Sequence, residues 1–228
     1  MTDHNGLPGR HCMSLDAKII HRLHKTLAVV NEHGTEGPRL LDNAKRLWFR
    51  VQRFIGMSLI PSPGLDLSAL ELACFALQLP QRRQRILPSG RPARATLRER
   101  SEEAAELLIG VASHDASEEL LDRTVRVLHE MPERSPMLEE SKLLADAVNL
   151  EDFGLTGLLD LAMQTGQHGE GIIQFANGLE KRDQYGYWDS RLKDGFHFEP
   201  IRQLARKRLE SARKAAEMLR REMEDDKL

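Results

Sequence analysis

Apolar residues recur at three- and four-residue intervals along most of the chain, the spacing of helices that bury one face. Ile19, Ile20, Leu23, Leu27 and Val30 follow Asp16, a helix cap, and Gly34 with Gly37 closes this first helix. A second helix is predicted over 38–58, with Leu41, Ala44, Leu47, Trp48, Val51, Phe54 and Ile55 on one broad face. The third, over 66–79, reads LSALELACFALQL and is apolar nearly all round, which marks a helix enclosed on most sides. After three prolines (Pro80, Pro88 and Pro92) a helix is predicted from Ala93 through Val111. Further helices are predicted from Asp115 or Ser117 to Pro132, over 138–150, over 153–165 and over 169–182. An irregular aromatic stretch, YGYWDSRLKDGFHF, precedes a last helix over 199–226. Many short helices without sustained heptads predict a compact orthogonal helical bundle, all-α, with no internal repeat. Residues 1–14, rich in Gly, Pro and polar side chains, read as a loose tail, and 15–228 as a single domain.

Composition agrees with that pattern and narrows the function classes. Charged residues make up 30% and aromatics 5%, a helix-former's balance poor in strand-preferring types. A net charge of -2 gives no overall attraction to nucleic acid or membrane, so electrostatic specificity must be local. Cys12 and Cys74 lie in unrelated contexts and read as reduced thiols. No run approaches the roughly 18 apolar residues of a spanning helix, and the N-terminus has no apolar signal core. The expectation is a cytoplasmic protein.

Local chemistry concentrates in four places. Between Pro80 and Arg100 stand seven arginines (Arg82, Arg83, Arg85, Arg91, Arg94, Arg98 and Arg100) against one acid. Guanidinium forks suit phosphate, although the same arginines could pair with Glu102, Glu103 and Glu106. No aromatic interleaving makes a stacking surface, which disfavours a nucleic-acid partner. His114-Asp115 is the one literal His-Asp pair, but Asp115 reads as the cap of the helix that follows. His129 falls in a helix's last turn, where a cation suits the dipole. Asp146, Asn149, Glu151 and Asp152 form an acidic-polar cluster. In the terminal helix Ile201, Leu204, Leu209, Ala212, Ala216 and Leu219 supply packing between salt-bridged flanks, and the aromatics of 185–198 read as a lid over the core.

Three segments, in order, resemble the HD phosphohydrolase superfamily. KLLADAVNLEDFGLTG (142–157) is similar to the Asp-Ala-Asp-x-Leu-Asp-x-x-Gly run that carries the family's last metal-binding aspartate. ELACFALQLP (71–80) resembles the apolar helix ending in its His-Asp pair, and NAKRLW (43–48) its His-x-x-Arg-Val helix. The resemblance spans roughly 38–221. In that family one or two divalent metals activate water for attack on a phosphoester.

Carried over residue by residue, the ligand positions fall on Asn43, Leu77, Gln78 and Val148, or Asp146 if the register slips by two. Leu77 and Val148 have no lone pairs to give, and neutral amides are weak ligands for transition metals. The resemblance therefore implies an HD-like fold without metal cofactor or catalysis, a binding or regulatory module for a phosphorylated ligand or a protein partner. Its arginine-rich loop, with Arg82, Arg83, Arg85, Arg91 and Arg94, would border the former cleft. The alternative is a metal-dependent phosphohydrolase with a divalent metal on His114, Asp115, His129 and Asp146.

Overall fold

The computed structural model describes residues 15–27, 29–30, 36–37, 39–57, 64–79 and 95–225. In order these form α1 (Ala17–Leu27), β1 (Val29–Val30), β2 (Glu36–Gly37), α2 (Arg39–Gly56), α3 (Leu67–Ala76), α4 (Leu97–Ala112), α5 (Glu118–Glu130) and α6 (Glu139–Asn149). A 3-10 turn over Leu150–Asp152 leads into α7 (Leu155–Gln167), α8 (Ile172–Gln184), α9 (Tyr187–Asp194) and α10 (Glu199–Asp225). The described residues are all-α apart from one antiparallel contact in which Val29 pairs with Gly37 and Val30 with Glu36. The first helix therefore stops at Leu27, short of the expected Val30, because Val29 and Val30 enter this pairing. Among the described residues no helix is long and apolar enough to cross a membrane.

The organising element is α3. Its residues 69–76 are all buried, as an all-round apolar helix requires, and α2, α4, α5 and α6 pack around it. Asp66 starts it by accepting the Ala69 N–H at 2.9 Å. The Asp66 N–H in turn donates to Glu140 Oε1 at 2.9 Å, and Arg123 reaches the same oxygen at 2.7 Å, tying α3, α5 and α6 at one point. α4 opens with a reciprocal capping box between Thr96 and Glu99, and α5 with Ser117 accepting the Leu120 N–H. The cap of α5 is thus Ser117; Asp115 instead pairs with Arg22 at 2.8 Å. The predicted start of α4 at Ala93 lies outside the described residues.

The C-terminal third closes the core from the side. The stretch expected to be irregular contains α9, whose Trp188 is buried with Phe196 against Phe153, ring centroids 5.4 Å apart in both pairs. Trp188 and Phe196 belong to the core, Tyr187 and Phe198 pack against it, and Tyr185 is exposed, so only part of the expected lid covers it. α10 buries Ile201, Ala205, Leu209 and Ala212, while its flanks carry ion pairs such as Arg206 with Glu199 and Arg213 with Asp183. By contrast none of the described side chains of α7 is fully buried, and its Leu155, Leu159 and Met163 are exposed.

Candidate functional site

The helices bearing the motif-derived positions pack on one another: α2 against α3 and α6, and α3 against α6. Asn43 is half-buried on α2, and its Oδ1 accepts from Arg46 at 3.3 Å. Leu77 and Gln78 follow the last turn of α3 and are buried, with Leu77 part of the hydrophobic core. Val148 belongs to the same core. A donor set for a transition metal needs oxygen, nitrogen or sulfur aimed at one point. Two of these side chains have none, and Asn43 is engaged with a cation.

Asp146 is fully buried on α6, and both its oxygens are occupied. Oδ1 accepts the His197 N–H at 2.8 Å and Oδ2 the Phe198 N–H at 2.9 Å, immediately before α10. The carboxylate thus satisfies two donors that the start of a helix leaves without intrahelical partners. Burial pushes its pKa up to about 7, against the opposing pull of those two N–H groups and of Arg202. The apolar run of 142–157 gave no sign of this long-range cap.

Around the end of α6 the polar groups form two ion-pair systems. In the first, the buried Arg50 of α2 donates to the Ala147 carbonyl at 2.7 Å and lies 3.2 Å from Glu151 Oε1, with Arg46 at 3.7 Å from the same oxygen. Cys74 and Glu71, both fully buried on α3, lie within electrostatic reach; burial pushes the Cys74 thiol well up, and Glu71 and Glu151 push it the same way. In the second, Arg191 of α9 donates to Asn149 Oδ1 at 2.8 Å and to Asp152 Oδ2 at 2.9 Å, fastening the turn to the lid. Of the acidic-polar cluster, Asn149, Glu151 and Asp152 are thus paired with arginines, while Asp146 is held by the backbone. Gly154, the motif glycine, has φ +87, and a Cβ there would stand 3.2 Å from Arg208 Cβ, so the chain turn and the close approach of α10 both require glycine.

Arg208, half-buried on α10, has no hydrogen bond or ion pair among the described residues. Burial lowers its pKa, and the positive charges of Arg50 and Arg53 lower it further. Arg53 is exposed one turn beyond Arg50. Neither Arg50 nor Arg208 stood out in the sequence. Arg50 sits in an ordinary amphipathic helix, and Arg208 in a helix whose cations read as solvated flanks.

The alternative ligand set is not assembled. His114 and Asp115 precede α5, whereas the exposed His129 lies in its last turn, about 18 Å along the axis at 1.5 Å per residue. Asp146 is enclosed and already bonded. No group of three or more potential metal-binding side chains occurs among the described residues. Arg82, Arg83, Arg85, Arg91 and Arg94 lie outside the described residues; Arg98 pairs with Glu133 at 2.8 Å and lies 3.9 Å from Glu102. Two surface depressions are bordered, one by Ile109, Leu121 and Val125, the other by Leu192, Arg202 and Arg206, and no motif-derived position lines either.

No family model matches the chain, and no curated protein matches it. Solved structures do. The Bacillus subtilis protein YpgQ, in its selenomethionine form, superposes with a TM-score of 0.56 at 19% identity, covering 90% of this chain and 97% of that one. YpgQ in complex with ADP gives 0.56 at 20% identity, covering 90% and 95%. The Lin1889 protein of Listeria innocua gives 0.54 at 18%, covering 91% and 96%. The likeness is one of fold along nearly the full length of each.

Proposed function

We propose that this chain is a metal-ligand-depleted, HD-like protein that works as a non-catalytic binding or regulatory module for a phosphorylated ligand. The carrying observation is the fate of the motif positions. Leu77 and Val148 are built into the hydrophobic core, and the remaining carboxylate, Asp146, has both oxygens bonded to the backbone before α10. Metal-assisted hydrolysis needs a cation with an open position for water, and that requires free donors. A phosphorylated ligand is favoured by the arginines around Glu151, and by the fold shared with a protein crystallised with ADP.

Metal analysis of the purified protein, joined to phosphoesterase assays on phosphomonoesters and nucleotides, tests this. The expected result is no stoichiometric Mn, Fe, Co, Ni or Zn and no turnover. One metal per chain, with turnover abolished by His129→Ala or Asp146→Ala, would establish the hydrolase instead.

A further inference from the structure

The solvent side of α7 carries no charge. Leu155, Leu159 and Met163 stand four residues apart, so a helix of 3.6 residues per turn sets them along one stripe, with Thr156 and Gly166 beside it. All five are exposed, Leu155 by 54%, Leu159 by 64% and Met163 by 59%. The half-buried Leu158, Leu161 and Thr165 lie round the helix from that stripe, and α7 packs on α8 and α10. A short turn through Gly169, φ +73, then leads into α8, whose first residues Ile172 and Ile173 are exposed by 57% and 58%.

The solvent faces of α5 and α10 are charged: Glu118, Asp122 and Arg126 on the first, Arg206, Lys207 and Glu210 on the second. In a chain of which 30% is charged, a helix that shows water its leucines reverses the ordinary amphipathic arrangement. Single apolar side chains are common on a monomer's surface, but a grouped set marks a contact.

Two properties of this face choose its occupant. The five large side chains leave on the order of 500 Å² of apolar surface in water, and a stable dimer takes about 800 Å² from each partner, about two-thirds of it apolar. The face alone thus supplies what one half of a dimer contributes. A two-fold contact also sets a patch against its own copy, so a charge near the centre meets its like. An uncharged face escapes that repulsion and is complementary to itself. A membrane surface is disfavoured, because no lysine or arginine occurs from Leu155 to Gly178.

We propose that α7, with the start of α8, is the two-fold interface of a homodimer, in which the Leu155, Leu159 and Met163 stripe packs against that of a second copy. The dimer is independent of the binding role above, since neither metal content nor ligand affinity bears on it.

Sedimentation equilibrium of the full chain from about 1 to about 100 μM tests this. The expected result is the mass of two chains, undiminished as sodium chloride is raised, because the contact is apolar. Leu159→Glu and Met163→Glu each bury like charges across the two-fold axis and should weaken dimerisation at least about hundredfold. Leu159→Gln should weaken it less, and Ile109→Glu, at a comparably exposed position of α4, should leave it unchanged. These side chains stand in water in the single chain, so at dilutions where wild type is monomeric the variants should melt with it.

Four results would overturn the proposal: a single-chain mass for wild type at the highest concentration, a dimer that dissolves as salt rises, a dimer that survives both glutamate variants, or one that Ile109→Glu disrupts equally. Monomeric wild type that floats with phosphatidylcholine vesicles would give the face to a membrane instead.

Discussion

The α6–α10 junction and the Arg208 position, where α10 passes over Gly154, treat buried polar groups in opposite ways. At the junction Asp146 is fully enclosed, and every lone-pair direction it uses is met by a backbone donor. Arg208 is half-buried, feels the repulsion of Arg50 and Arg53, and makes no hydrogen bond or ion pair among the described residues. The difference teaches which charge the fold has absorbed. A group whose partners are backbone atoms holds the architecture, and its removal is felt as lost stability. A group whose nearest charges repel it contributes through its packed aliphatic stem, not through its charge.

The widest separation between the two regions is expected in their response to pH. With Asp146 at about 7 in the folded protein and 3.8 as the ordinary value, the neutral acid is favoured by folding. Its contribution is complete below about pH 4 and is lost as the pH rises through 7, on the order of 4 kcal/mol at full extent. Chemical denaturation between pH 4 and 8 should show that decline, and Asp146→Asn should remove it. A flat wild-type profile would mean that the two N–H donors and Arg202 offset burial.

Next in size is Asp146→Ala. It strands the His197 and Phe198 N–H groups at a buried helix start, and a loss of about 2–4 kcal/mol is expected. Urea unfolding at fixed pH gives the number, and a loss below about 1 kcal/mol would place the start of α10 under other control. Smaller again is Arg50→Met, which preserves the stem but leaves the Ala147 carbonyl and Glu151 without their cation. A cost of about 1–2 kcal/mol is expected, and no change at all would move Arg50 into the same category as Arg208.

The sequence made some of this legible and hid the rest for definable reasons. Continuous apolarity over 67–79 revealed α3 as the enclosed helix, because an all-round apolar helix has nowhere else to go. The amphipathic stripes of α2 and α10 likewise foretold Leu47, Val51 and Phe54, and Ile201 and Leu209, as core. Helix α9 was missed because its aromatics are packed by Phe153, more than thirty residues earlier, and not by a periodic stripe of its own. Asp115 competed with Ser117 for one cap, and pattern alone could not choose; Arg22, almost a hundred residues away, decided it. The candidate site was half visible. Its motif positions could be placed by resemblance, but Asp146's partners lie 51 and 52 residues away and Arg50's carbonyl 97 away. Only the folded chain brings such pairs together.

The burial of Cys74 at the centre of α3 also gives the protein a clock. Its thiol is fully enclosed and held well above its ordinary pKa, so the reactive thiolate forms only when the helices around α3 part. In a Cys12→Ser background, the pace at which an alkylating reagent in excess consumes this one sulfur becomes the frequency with which the core opens. A resting protein thereby reports its own rare excursions, with no denaturant and no added label.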